Sequence, residues 1–168
     1  MEARQITKLA NQYGASLVLY ARQWTRDPDD AVQEAFVDLM KSTDSPVDPA
    51  AWLFTTVKRK AMNHARRESR QRKHAQSLAA QRDSWFEPNC QCTTIDAEEV
   101  CDQLQRLPDM EREIVVARIW GELSYEQIAG LVGQSRSSVH RRYQSALQRL
   151  AAPRRADLKN NNNQQVVP

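Results

Sequence analysis

Residues 121–150 read GELSYEQIAGLVGQSRSSVHRRYQSALQRL. Ser124, with Gln127 three positions on, has the form of a capping box. The serine hydroxyl accepts from the N–H of residue 127, and the glutamine side chain reaches back to the N–H of residue 124. The helix this opens is short, with Tyr125, Ile128, Ala129, Leu131 and Val132 on its apolar side. Gly133 stands where a helix end calls for a left-handed residue. Ser135 then caps a second helix whose inner stripe is Val139, Tyr143, Ala146, Leu147 and Leu150. Two helices joined by a Gly-containing turn of about three residues make a helix-turn-helix. Its outer face carries Arg136, Ser137, His140, Arg141 and Gln144, flanked by Ser138 and Arg142. In such a unit the start of the second helix enters the major groove. There Arg bonds guanine edges in bidentate fashion, and Ser or Gln bonds bases or phosphates. An αα-hairpin with a polar exterior would pack the same way, but caps, glycine and basic face together point to DNA.

Upstream of this unit, Val100, Leu104 and Leu107 give one helical stripe. Pro108 then starts a further helix with Met110, Ile114, Val115, Ala117 and Ile119. Residues 83–99, DSWFEPNCQCTTIDAEE, lose periodicity and read as a polar, acidic connector. Trp85 and Phe86 within it are expected to dock on a neighbouring unit. Earlier still, Ile6, Leu9, Ala10, Tyr13, Leu17, Tyr20, Ala21 and Trp24 mark an amphipathic helix ending near Thr25. Asp27-Pro28 and Asp48-Pro49 each join an N-cap residue to a proline suited to the first helical position. They predict helices over Val32, Ala35, Phe36, Leu39 and Met40, and over AAWLFTTVKRKAMNHARRESRQRKHAQ. The end of the chain, from Pro153 to NNNNQQVVP, is polar and low in complexity, and is expected to be disordered.

Composition agrees with this all-α reading. The 168 residues hold 4 glycines and 7 prolines, too few for a turn-rich β fold. The net charge is only +3, but it is unevenly spread. Residues 1–75 carry +4, residues 76–113 carry −6 and residues 114–168 carry +5. Two basic blocks around an acidic one suggest two DNA-facing units and a connector. No apolar run approaches the roughly 18–20 residues that span a membrane, and MEARQITKLANQYG lacks a secretory core. Three cysteines make a disulfide scaffold improbable in a chain able to bury a core. The expectation is a cytoplasmic protein without membrane association.

The segment LPDMEREIVVARIWGELSYEQIAGLVGQSRSSVHRRYQSALQRL resembles region four, the promoter-reading domain of extracytoplasmic-function sigma factors. YGASLVLYARQW, DPDDAVQEAF and AWLFTTVKRKAMNHARR resemble region two of the same family. The resemblance covers roughly residues 8–75 and 100–150, in the family's order. It implies two small helical domains: region two over 1–80, an acidic flexible linker over 81–99, region four over 100–152 and a tail over 153–168. It further implies a protein that binds core RNA polymerase and directs promoter recognition, melting and initiation. Asp30, Gln33 and Glu34 would meet the coiled-coil of the polymerase β′ subunit, and region four the β flap. Lys58, Arg59, Lys60, Asn63, His64, Arg66 and Arg67 would bind the −10 element, the cations neutralising phosphates and Asn63 and His64 reaching base edges. Arg136, Ser137, Ser138, His140, Arg141, Arg142 and Gln144 would read −35. Ser45, in the STDSPVDP loop, falls where the family captures a flipped base, and Trp52 is expected to be buried against the first helix. Arg59 and Asn63 depart from the family's usual Asn and Asp, and SRSSVHRRY from its recognition-helix pattern, so no promoter sequence carries over. Control is expected from an anti-sigma protein or another regulator.

Two other functional classes make different demands on the sequence. A DNA-processing enzyme would need a nucleophile with its base, or acidic metal ligands. Asp27, Asp29 and Asp30 are the one tight acidic cluster, and helix capping accounts for them, so no enzyme activity is expected. A polymerase-independent regulator would bind DNA through residues 124–150 and dimerise through its N-terminal helices. Cys90, Cys92 and Cys101 have poor spacing for zinc and read as incidental thiols, so neither metal nor cofactor is expected.

Overall fold

The computed structural model of the protein describes residues 3–75 and 95–151. The expectations for residues 81–94, including Trp85, Phe86, Cys90 and Cys92, and for the 153–168 tail lie outside these residues. The described residues form α1 (Ala3–Ala21), α2 (Pro28–Lys41), α3 (Pro49–Ala75), α4 (Ile95–Gln105), α5 (Asp109–Ile119), α6 (Tyr125–Val132) and α7 (Arg136–Ala151). No strand occurs among them, and none of these helices is long and apolar enough to cross a membrane.

The predicted start signals act as the residues dictate, with one difference. Pro28 and Pro49 both open helices. Asp48 Oδ1 accepts the Ala51 N–H at 3.0 Å, but Asp27 makes no side-chain cap. The Asp27 N–H instead donates to the hydroxyl of buried Thr25 at 3.2 Å. Acidic Asp29 and Asp30 in the first turn of α2, and Lys41 in its last, complement the helix dipole. α1 ends at Ala21, earlier than the stripe through Trp24 suggests, because the next turn closes with tighter bonds such as Trp24 N–H to Ala21 O.

Helices α1, α2 and α3 pack on one another around Leu17, Tyr20, Ala35, Leu39, Leu53, Phe54 and Val57, all fully buried. Tyr20 meets Trp24 and Phe54 edge-on at 4.9 and 5.0 Å between ring centroids. Burying a large apolar side chain contributes about 1.5–3 kcal/mol, so three helices that bury Leu17, Tyr20, Val32, Leu39, Leu53, Phe54 and Val57 make a self-consistent unit. In the second unit α5 and α6 pack against α7 around Leu104, Ile114, Val115, Ile128, Val139 and Ala146. α4 begins at Ile95, so the last five residues of the expected 81–99 connector are helical.

Helix α5 shows why the two units also touch. Seven successive residues, Glu111 to Ala117, are buried. A helix covered all round has neighbours on every side. Here α6 and α7 lie on one side and α1 on the other, while α3 rests on α6. The buried apolar residues of both units therefore form one continuous cluster. Arg112 stays charged at the start of α5 by donating to the carbonyls of Leu104, Gln105 and Leu107 at 2.8–3.1 Å. Cys101 is buried, which pushes its thiol pKa up and makes it a poor nucleophile.

Candidate nucleic-acid interface

The helix-turn-helix forms as its residues require. Ser124 Oγ accepts the Gln127 N–H at 3.2 Å, and Gln127 Oε1 accepts the Ser124 N–H at 2.6 Å, closing the capping box. Gly133 takes the left-handed conformation at φ +67°, and the Gln134 N–H returns to the Ala129 carbonyl at 3.1 Å. Ser135 Oγ accepts the Ser138 N–H at 3.2 Å and so caps α7. Val139 and Ala146 point into the core. Arg136, Ser137, His140, Arg141, Arg142 and Gln144 are exposed, and Ser138 is half-buried. The expected reading face is thus one continuous side of α7. His140 stacks edge-on against Tyr125 at 5.1 Å, which restrains its ring, and Arg136 lies 3.9 Å from Glu126.

On α3 the expected −10 residues separate into two groups. Arg59, Asn63, Arg66 and Arg67 are exposed. Lys58, Lys60 and His64 are half-buried and engaged in ion pairs. Lys60 Nζ bonds Asp38 at 2.9 Å and Glu34 at 3.2 Å. His64 Nε2 donates to Glu34 Oε1 at 3.0 Å. The structure therefore joins two groups that the family resemblance leads one to expect at different partners: Glu34 at polymerase, Lys60 and His64 at DNA. Burial alone would raise the Glu34 pKa, but the hydrogen bonds from His64 and Lys60 outweigh it and hold the carboxyl below its ordinary range. The bond to Asp38, against some burial, raises Lys60 above the usual lysine value, with Glu34 adding to the effect. Asp30 and Gln33 stay exposed beside Glu34 on α2 and, with exposed Val37, line a shallow groove. Ser45 is exposed, and Trp52 is half-buried against the core.

Lys58 points to the second unit. Its Nζ lies 2.6 Å from Glu113 Oε1 and 5.7 Å from the centre of the Trp24 ring. Tyr20 Oη donates to the same carboxylate oxygen at 2.6 Å. Burial first, then the charge of Glu113 and the bond to it, push the Tyr20 pKa well up. Sequence reasoning missed Glu113, though a signal was there. In MEREIVVAR three consecutive charges, Glu111-Arg112-Glu113, fan over most of a helical turn, so they cannot all face solvent on a packed helix. A further apolar groove of about 530 Å³ lies on the second unit, lined by Val100, Leu104, Val115, Ile119, Trp120 and Leu150.

Comparison with known proteins matches these two units separately. Residues 9–71 match the family profile of Sigma-70 region 2, and residues 98–150 that of Sigma-70, region 4. Among solved structures, five chains are similar. One is CnrH, in complex with the cytosolic domain of CnrY: 25% identity over 95% of this chain and 91% of that one, TM-score 0.57. Another is the sigma factor RpoE of Bartonella quintana, in complex with the anti-sigma factor NepR. It shares 20% identity over 86% of this chain and 92% of that one, TM-score 0.60, a likeness of fold. No curated protein sequence gives a significant match.

Proposed function

The chain belongs to the sigma-70 family, as a sigma factor of the extracytoplasmic-function group with regions 2 and 4, and we propose that it works in the cytoplasm by joining core RNA polymerase and carrying it to promoter DNA. The observation that carries this reading is the presence of both regions, in order, on one chain. Many DNA-binding proteins hold a helix-turn-helix; the α1–α3 unit beside it distinguishes this one.

The acidic end of α2, with Asp30, Gln33 and Glu34, is the surface for the β′ coiled-coil. Exposed Val37 and Met40 extend it with apolar area. The groove beside exposed Val100 and Ile119 suits an apolar helix of the β flap. Arg59, Asn63, Arg66 and Arg67 meet −10, joined by Lys60 and His64 once Glu34 turns to the polymerase. The face of α7 reads −35 in the major groove. The protein itself catalyses nothing in this scheme. Binding an unstacked strand offsets the few kcal/mol needed to unpair it. CnrH and RpoE were each solved with a protein partner, which supports an anti-sigma protein as the regulator of this chain too.

The test is transcription in vitro with purified core polymerase on a genomic DNA library. Discrete start sites that depend on the added protein are expected. Their complete absence, with palindromic DNA bound in the absence of polymerase, would establish the independent-regulator reading instead.

A further inference from the structure

We infer that His140 reads the N7 edge of a single purine in the −35 element, and that Arg118 and Tyr125 are the positioning residues that hold its ring for that contact. This assignment rests on the −35 reading of α7 and adds two residues that lie off the reading face.

Tyr125 is rigidly mounted. It is the first residue of α6, and the reciprocal bonds between Ser124 and Gln127 fix the backbone on which it stands. Two more bonds close the turn before it. The Leu123 N–H donates to the Ala117 carbonyl at 3.1 Å, and Arg118 Nη1 donates to the Leu123 carbonyl at 2.7 Å. The Arg118 guanidinium is thereby held 4.8 Å from the centre of the Tyr125 ring, where a cation and an aromatic face attract.

The ring so held meets two successive turns of α7. Tyr143 lies 5.9 Å away and His140 5.1 Å, both edge-to-face, the latter with 81° between the ring planes. The two contacts do different things. Tyr143 is half-buried and packs with Tyr125 against the core, so this pair joins α6 to α7. His140 is exposed on the outer face, and its contact adds little to helix packing. What the contact does is fix an imidazole that would otherwise rotate freely.

The rest of the reading face is looser. Arg136 meets Glu126 only at 3.9 Å, with both side chains largely exposed. Arg141, Arg142 and Gln144 are exposed on long side chains. Immobilising each of these on DNA costs rotamer entropy, whereas the fold has already ordered His140. His140 also stands between Arg136 and Gln144, one turn to either side, in the part of the helix that enters the groove.

A histidine ring carries at least one N–H, in the neutral and the charged form alike. In the major groove both purines present N7 as an acceptor. Cytosine presents an amino donor, and thymine sets its methyl beside O4. A ring fixed in place cannot swing round that methyl, so a purine is the base that a held imidazole donor selects.

The test uses holoenzyme assembled from core polymerase and the full-length protein, on promoters randomised across the −35 element, with the transcribed templates sequenced. For the wild type, one position is expected to favour purines about tenfold. His140→Ala should flatten that position and leave the others unchanged. Tyr125→Leu should remove most of the same preference, and the double variant should lose no more there than His140→Ala alone. Tyr125→Phe keeps the ring and should keep the preference. Arg118→Met should weaken it in part, and carries the test should circular dichroism show Tyr125→Leu unfolded. A 7-deazapurine at that position removes N7 but keeps the base pair. It should cost the wild type about tenfold in binding and His140→Ala nothing. No position altered by His140→Ala, or an analogue that costs both proteins equally, would overturn the base reading. Loss spread evenly over the −35 positions in folded Tyr125→Leu would mean ordinary packing and overturn the positioning roles. If the wild type starts no transcripts, the sigma reading fails, and selection of randomised duplex by the protein alone decides His140 in the same way.

Discussion

Glu34 illustrates how one residue can serve two partners. It sits on the acidic face of α2, yet its oxygens receive Lys60 and His64 from α3. Its pKa is held below the ordinary 4.5, so this pairing contributes stability that is fully present above pH 4.5 and is lost as pH falls through the lower folded value. The contribution is modest, because the Glu34 side chain is 44% exposed and solvent screens it. Urea midpoints of wild type and Glu34→Gln should differ above that pH and converge below it. A gap that widens in acid would contradict the pairing. The sequence shows every one of these side chains, but their meeting depends on how α2 lies across α3. Residues 34 and 64 are 30 positions apart, and no local pattern joins them. Arg112 is similar: the fold turns it onto the carbonyls of Leu104, Gln105 and Leu107, at and just beyond the end of α4.

At the scale of elements, local rules were sufficient almost everywhere. Caps, prolines and stripes marked all three N-terminal helices and both helices of the DNA-reading unit, because each signal acts within a turn or two of itself. Gly133 is the clearest case. A Cβ there would touch nothing within 4 Å, so the need for glycine is purely its φ of +67°. Gly133→Ala should therefore cost about 1 kcal/mol, read as a lowered melting temperature with the helical spectrum retained. No loss would mean that the turn relaxes. Helix α5 was legible only in part. Met110, Ile114, Val115 and Ala117 are packed as expected, but Ile119 is 45% exposed while Glu111 and Glu113 are buried. Its periodicity is blurred because it is covered on two sides, and a one-sided stripe is the only kind that periodicity reveals.

For the whole molecule, the β′ coiled-coil of the polymerase and −35 DNA are assigned to opposite units, so the effects of Asp30 and Arg141 should separate. Asp30→Ala is expected to weaken core binding several-fold while leaving binding to −35 duplex unchanged. Arg141→Ala should weaken −35 binding and reduce its salt slope by about 1, with core affinity intact. Coupled losses in either variant would contradict separate surfaces. The sequence by itself determined the helical class, the two units, the helix-turn-helix and the residues on its outer face. Those follow from hydrogen bonds and apolar spacing within single helices, which the order of residues encodes directly. Only the tertiary structure decided that α5 lies between the units, that Tyr20 and Lys58 converge on Glu113, and that Phe54 rests on Gly121. These contacts join residues 55 to 93 positions apart. Whether a charge at such a distance finds solvent or a partner depends on the packing of whole helices, and that is a property of the assembled chain.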